Sequence, residues 1–305
     1  MLRVLLALNI ALSVSCAMAG TTVYDFLNIP TGARSVGMAT AFTAIADHPS
    51  GLWWNPAGCA SAPAREVSLE YNHYIVGMKR GYIGYLHPLR SSTALAIGVS
   101  HISVGEMTKT TAEGHEEGRF SPLGMAASLA FSTAITERPA ITAGAAFKWI
   151  YQSIDDYSSQ AVAVDVGALY KPGLKGLTVG ISLQNAGMQI TKFKDEKEPL
   201  PLNVTIGGSY SLRDEQVLLS LDLKKPSDRS VTFAFGSEWI VTTNVALRVG
   251  YNGLGTDWKS DSELDVLGGW SFGVGLRWKR LTVDLSSAPM VKLGNPLWIS
   301  TSYSL

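Results

Sequence analysis

Residues 141–151 read ITAGAAFKWIY. Ile141, Ala143, Ala145, Phe147, Trp149 and Tyr151 take the odd places, and Thr142, Gly144, Ala146 and Lys148 the even ones. Successive side chains of a β-strand point to opposite faces, so the stretch reads as a strand with one apolar face and one small, polar face. The apolar face ends in two aromatic rings.

The same period of two recurs down the chain. Val67, Leu69 and Tyr71 alternate with Glu66, Ser68, Glu70 and Asn72. Leu95-Ile97-Val99, Met125-Ala127-Leu129-Phe131 and Leu177-Val179-Ile181-Leu183 repeat it, and Val162-Val164-Val166 turns away from Asp165. Leu219-Leu221-Leu223, Val231-Phe233-Phe235, Val245-Leu247-Val249-Tyr251, Trp270-Phe272-Val274-Leu276-Trp278 and Leu281-Val283-Leu285 follow. The last run, Leu297, Ile299, Thr301, Tyr303 and Leu305, alternates to the final residue. With Val204-Ile206 and a less regular strand at residues 81–86 the count is about fourteen, an even number as in bacterial transmembrane barrels.

A soluble sandwich also alternates. Two features favour the barrel. Long polar connections (residues 103–121, 154–159, 187–199, 253–265 and 289–296) alternate with tight turns (87–92, 171–176, 213–215, 241–243 and 279–280). Long loops on one rim and short turns on the other are the outer-membrane pattern, from which only the short first hairpin at residues 76–79 departs. An even strand count then places both mature chain ends at the short-turn, periplasmic rim. The second feature is the aromatic residues. Trp149, Tyr151, Tyr251 and Trp270 lie toward the long-loop rim, and Tyr170, Tyr210, Trp239, Trp278 and Tyr303 toward the other, as expected for two interfacial girdles in contact with outer-membrane lipid. The fold class expected is all-β: a transmembrane antiparallel barrel of about fourteen strands over residues 65–305.

Composition agrees. The formal net charge of the 305 residues is zero, which argues against nucleic acid as a partner. Charged residues make up 16% of the chain, below the roughly 25% of ordinary soluble domains. Beyond the N-terminus no apolar run is long enough for a spanning helix. Residues 1–19 read as a secretory signal peptide, with Arg3, an apolar core and Ala17-Met18-Ala19 before Gly20. Only Cys59 then remains in the mature chain, so no internal disulfide forms.

Residues 20–64 are not strand-like. Pro30, Pro49, Pro56 and Pro63 break them up, and residues 32–46 are small and weakly amphipathic, which suits one or two short helices. Residues 41–58, AFTAIADHPSGLWWNPAG, hold two adjacent tryptophans and an Asn-Pro step. The expectation is an N-terminal, partly helical plug, or hatch, folded inside the barrel. Its motif residues are Gly32, Arg34, Gly37, Phe42, Asp47, Trp53, Trp54, Asn55, Pro56 and Gly58. Pro56 biases Asn55 toward an extended backbone, and Asn55 can hydrogen-bond nearby backbone.

The polar faces of the strands carry Glu66, Glu70, Asp165, Asp222, Glu238 and Asp284 with Lys148, Lys171, Lys224, Arg248 and Arg277. The signs nearly balance, unlike the one-sided ring of an ion-selective pore, and suggest charge pairs to something filling the lumen. Catalytic patterns are lacking. Ser100 and His101 are neighbours in a strand and face opposite ways. His115 lies in a solvated acidic loop, and no phosphate loop or Cys/His metal spacing occurs. Neither an enzyme nor a cofactor or metal site is expected.

Phe26-Leu27, then Gly32 to Met38 (GARSVGM), Ala41 to Asp47 (AFTAIAD) and Leu52 to Gly58 (LWWNPAG) closely resemble the N-terminal signature of the PorV/PorQ family, within the wider FadL-like group of fourteen-stranded barrels. His48 and Cys59 depart from that pattern. The resemblance implies two functions. PorV/PorQ-like proteins are type IX secretion system components that bind or shuttle secreted cargo at the cell surface, with cargo proteins and secretion subunits as partners. FadL-like proteins transport long-chain fatty acids or other hydrophobic compounds through a plugged barrel. In the second case Phe42, Leu52, Trp53 and Trp54 would line a ligand path; in the first they pack the plug.

Overall fold

The computed structural model describes residues 22–90, 92–137, 140–193, 197–213, 215–254, 267–290 and 293–305. The expected signal peptide, and most of the expected loop at 253–265, fall outside the described residues.

The alternating stretches become β1 (Glu66–His73), β2 (Lys79–Arg90), β3 (Thr93–Ser103), β6 (Leu123–Glu137), β7 (Ala140–Ile154), β8 (Tyr157–Lys171), β9 (Leu177–Thr191), β10 (Asn203–Leu212), β11 (Val217–Pro226), β12 (Thr232–Thr242), β13 (Val245–Asn252), β14 (Trp270–Trp278), β15 (Leu281–Ser287) and β16 (Leu297–Ser304). These fourteen strands close into an antiparallel barrel in which β1 pairs with both β2 and β16. The seam runs from Glu66 opposite Ser304 to His73 opposite Leu297. Closure leaves no edge strand with unpaired backbone. Two further strands, β4 (Met107–Thr110) and β5 (Glu116–Phe120), form a separate hairpin within the connection expected as a plain loop.

Exposure follows the alternation. Leu129, Phe147, Val166, Ile181, Leu221, Phe235, Leu247 and Ile299 are exposed on the outer wall. Their neighbours Ser128, Lys148, Asp165, Ser182, Asp222, Glu238, Arg248 and Ser300 are buried inside. The rings expected at the long-loop rim meet in pairs: Trp149 stacks on Tyr151 at 6.1 Å, and Tyr251 meets Trp270 edge-on at 5.5 Å.

Two connections are shorter than the sequence suggested. The polar stretch at 154–159 is only a turn at Asp155-Asp156, because β7 and β8 pair out to Ile154 opposite Tyr157. Likewise β9 continues through Gly187 to Thr191. It does so past a bulge, where two residues on β9 oppose one on β8. Asn185, at φ 59°, is the bulged residue.

The N-terminal segment lies within the wall. It has a helical turn at Ala33–Gly37 and 3-10 turns at Asp25–Asn28, Pro49–Trp53 and Pro56–Ser61. Proline opens the last two turns, where its missing N–H costs nothing. Tyr24, Val36, Met38, Phe42, Leu52, Asn55 and Cys59 are almost wholly buried.

The first described residues of the segment lie at the long-loop rim, and the expected mature terminus at Gly20 lies outside the described residues. The Thr22 hydroxyl donates to the carbonyl of Pro199, between β9 and β10 at the long-loop rim. At the opposite rim, Leu305 N–H donates to the Arg65 carbonyl. The strand count places the ends of the wall, but the segment crosses the lumen before the wall begins. Thr22 and Leu305 therefore lie at opposite rims.

Candidate functional site

The site is the contact between the N-terminal segment and the inward-facing wall, together with the cavity left above it. Arg34 reaches the wall first. Its Nε donates to Glu238 Oε2 and its Nη2 to Glu238 Oε1, each at 2.8 Å, while Nη1 bonds Asp47 Oδ1 at 2.8 Å. Arg248 meets the same Glu238 at 2.5 Å and Asp284 at 2.6 Å. Thus β12, β13 and β15 supply a charge chain that ends on the segment. Bidentate arginine–carboxylate bonds fix orientation as well as position.

A second anchor is Asp222 on β11. Its Oδ2 accepts from Phe42 N–H and Thr43 N–H, both at 3.1 Å, and from the Thr43 hydroxyl at 2.7 Å. Arg34 also lies over the Phe42 ring, 5.5 Å from its centroid. Glu70 on β1 accepts from Gly32 N–H at 2.7 Å. Arg80 on β2 donates to Pro30 carbonyl at 3.0 Å and to the Thr31 hydroxyl. His48 Nε2 sits 3.4 Å from Glu66. Burial pulls the His48 imidazole down, but its hydrogen bond to Glu66 and the charges of Glu66, Glu70 and Asp284 outweigh this and leave its pKa raised.

Asn55 caps the turn that Pro56 begins. Its Oδ1 accepts from Ala57 N–H at 3.1 Å, and its Nδ2 donates to Thr43 carbonyl at 2.9 Å. The same amide reaches the wall carbonyls of Ala168 and Ile181 at 3.3 and 3.4 Å. Asn55 is extended, at φ −157° and ψ 105°, as proline at the next position requires. Close approach is possible because the wall is bare here. A Cβ at Gly144 would lie 2.5 Å from Ala57 N, and one at Gly180 would lie 2.6 Å from Thr43 O.

Lys148 and Asp165, 2.6 Å apart, are the deepest ion pair. The bulge completes it: Asn185 N–H donates to Asp165 at 2.7 Å, and Asn185 Oδ1 accepts from Lys148 at 2.8 Å. Lys148 also lies over the Trp53 ring at 4.6 Å, and Lys224 over the Trp54 ring at 5.0 Å. Lys224 bonds the Thr40 carbonyl and hydroxyl at 2.7 and 2.6 Å.

Above the two indoles, on the long-loop side, lies a cavity of about 310 Å³. Trp53, Trp54, Tyr74, Lys148, Lys224 and Arg229 help to line it. A second cavity of about 300 Å³ lies between Phe26 and Ile29 of the segment and Met78, Ile102 and Leu123 of the wall. Asp25, Ile29 and Tyr74 border both.

The structure therefore brings the motif residues Gly32, Arg34, Asp47 and Asn55 together with the lumen residues Glu70, Glu238, Arg248, Asp284 and Asp222. Gly37 packs on Gly273 and Ser286 of the wall, and Gly58 against Ala46 within the segment. Two expected lumen charges are elsewhere: Lys171, at the end of β8, and Arg277, near the β14–β15 turn, are exposed. Their place on the inward face is right, but the lumen is open at that height. Sequence reasoning missed Arg80, Gln184 and Asn185. The doubled polar step Gln184-Asn185 inside an alternating strand was a legible sign of the bulge. Cys59 is buried, which pushes its thiol up to about 12. Ser100 is buried inside and His101 is exposed outside, so they form no dyad.

No family model matches the sequence, and no curated protein does. Solved structures do. The Ralstonia pickettii toluene transporter TbuX aligns with a TM-score of 0.63 at 13% identity, over 90% of this chain and 98% of its own. The P. putida toluene transporter TodX aligns with a TM-score of 0.65 at 12% identity over 90% and 98%. A Pseudomonas aeruginosa FadL homologue gives 0.55 at 12% identity over 90% and 99%. These likenesses show the fold, a closed fourteen-stranded antiparallel barrel.

Proposed function

We propose that this protein is an integral outer-membrane transporter for small hydrophobic or amphipathic compounds, with residues 22–64 as its plug. The observation that carries this reading is the cavity of about 310 Å³ that opens above Trp53 and Trp54. Its wall mixes Leu27, Ile29, Trp53, Trp54 and Tyr74 with polar and charged groups, among them Asp25, Lys148, Lys224 and Arg229, so it offers both apolar contact and polar anchors to a small molecule. A 150 Å³ apolar cavity accepts benzene, so this volume suits a single-ring compound or part of an acyl chain. Two structural neighbours, TbuX and TodX, are toluene transporters, which points the same way. The secretion reading rests on the sequence motif of residues 26–58 alone and gains no support from these likenesses. The expected orientation has the long loops outside and Leu305 on the periplasmic side.

The test is entry of radiolabelled toluene and oleate into vesicles reconstituted with the protein. Entry faster than into protein-free vesicles, and slowed by Trp54→Ala, is the expected result. Equal entry for both compounds with and without protein overturns the transport reading.

A further inference from the structure

The outward face of the wall is nearly free of charge, and three of its basic groups, His73, Lys79 and His101, gather in one place, while His87, bonded to the Tyr85 hydroxyl, lies elsewhere. Among the wall side chains that the structure describes, the acidic ones, Glu66, Glu70, Asp165, Asp222, Glu238 and Asp284, face inward. Lys225 faces out, but its ammonium is bonded to the Arg229 carbonyl at 2.7 Å. Lys79 is different. It is exposed at the long-loop end of β2 and has no side-chain hydrogen bond or ion pair among the described residues.

The register sets its neighbours. Lys79 lies directly opposite His73 on β1 and Ser103 on β3. One row toward the middle of the wall, Gly81 lies opposite Tyr71 and His101. Directly opposite side chains stand about 5 Å apart and diagonal ones about 7–8 Å, so Lys79, His73 and His101 reach a common point. The glycine shapes it. The His101 ring leans over Gly81, where a Cβ would stand 2.3 Å from His101 Cε1. Tyr71, also exposed, closes the notch from the other side.

Height on the wall identifies the surroundings. His73 is level with the exposed Leu297 of β16, still within the apolar band. Above the notch the β1–β2 hairpin ends not in a polar loop but in Ile75-Val76-Gly77, with Val76 78% exposed. An apolar tip above a lysine and two histidines places these groups at the bilayer interface. A cation facing lipid is costly at the midplane and tolerated near the interface, where an anionic headgroup can neutralise it.

We propose that Lys79, His73 and His101 form a binding site for the phosphate of an anionic lipid headgroup in the leaflet at the long-loop rim. Lys79 supplies the charge and up to three donors, and each imidazole supplies a ring N–H. The Tyr71 ring and the Ile75-Val76 tip lie against the lipid's apolar part.

The experiment is native mass spectrometry of the purified barrel in mixed micelles of detergent with phosphatidylglycerol or phosphatidylcholine, and with inorganic phosphate added to the phosphatidylglycerol sample. Retained phosphatidylglycerol on the wild type, absent with phosphatidylcholine and lost in H73Q/K79Q/H101Q, is the expected result; K225Q keeps the lipid. Loss of retained phosphatidylglycerol at millimolar inorganic phosphate overturns the assignment to lipid in favour of a free anion. Equal retention by wild type and triple variant overturns the site. Heat-modifiable gel migration checks that the variants are folded. The wall position is unrelated to the lumen, so failure here leaves the transport reading untouched, and failure of transport leaves this site untouched.

Discussion

Arg34 grips Glu238 at two points, Nε to Oε2 and Nη2 to Oε1, both at 2.8 Å, and so ties the N-terminal segment to β12. Removing the grip does not strand Glu238, because Arg248 still bonds it. Arg34→Ala therefore forfeits hydrogen bonds to a charged group rather than exposing a bare buried charge, a loss of about 2–3 kcal/mol. Urea unfolding in lipid vesicles, followed by tryptophan fluorescence, checks this. Glu238→Gln in the Arg34→Ala background adds less than it does alone, as expected for residues that share a network.

Asn55→Ala removes the cap on Ala57 N–H and the donor to Thr43, Ala168 and Ile181. The expected cost is about 1–2 kcal/mol, within the range for lost caps. In planar bilayers the variant conducts small ions more readily than the wild type. Unchanged conductance counts against the segment as a seal.

Gly144→Leu places a side chain where the Ala57 backbone now runs, with contact already at 2.5 Å for the first carbon. Backbone cannot yield as a side-chain tip does, so the segment shifts away and conductance rises more than in Asn55→Ala. Gly208→Leu is the control, since a Cβ there meets nothing within 4 Å. Similar conductance in the two leucine variants contradicts the packing.

The His48–Glu66 contact gives a pH dependence of known sign. The folded pKa of His48 is raised above its unfolded value of about 6.5, so the contribution is complete below that pH and is lost as pH rises through the folded value. As pH rises above about 6.5, denaturant resistance falls by more in the wild type than in His48→Gln. Parallel curves contradict the assignment.

Cys59 reports on the segment's position. It is buried and its thiol is held protonated, so maleimide labelling of the native protein is slow. Labelling quickens in Gly144→Leu and in Arg34→Ala. Rapid labelling of the native wild type contradicts the burial.

The wall was the most legible part of the sequence. Period-two stretches such as residues 141–151 have one face against apolar surroundings and the other against a polar, packed interior, and that difference in environment is written directly in residue type. β4 and β5 lack it, because their hairpin is exposed on both faces and nothing selects an apolar side. The turn at Asp155-Asp156 was hidden because the ends of β7 and β8 are polar where they project past the apolar band. Arg80 went unnoticed because Gly81 interrupts the outer face of β2 and Gly84 the inner one, which leaves no clean alternation. At the site, the inward charges were legible one by one, but their pairing was not. Glu238, Arg248 and Asp284 meet Arg34 only through strand register. The position of Thr22 at the long-loop rim depends on the path of an irregular segment, and no local pattern encodes that.

The seam between β1 and β16 has a consequence for the order of assembly. The segment precedes β1 in the chain and touches strands all around the wall, from Glu70 on β1 to Ser286 on β15. An order of assembly is expected from this: the seam of Glu66 through His73 with Ser304 through Leu297 closes after the segment has docked. Pulse labelling of Cys59 during refolding checks it. Burial of the thiol before the wall resists heat in gel migration is the expected result, and burial only afterwards contradicts it.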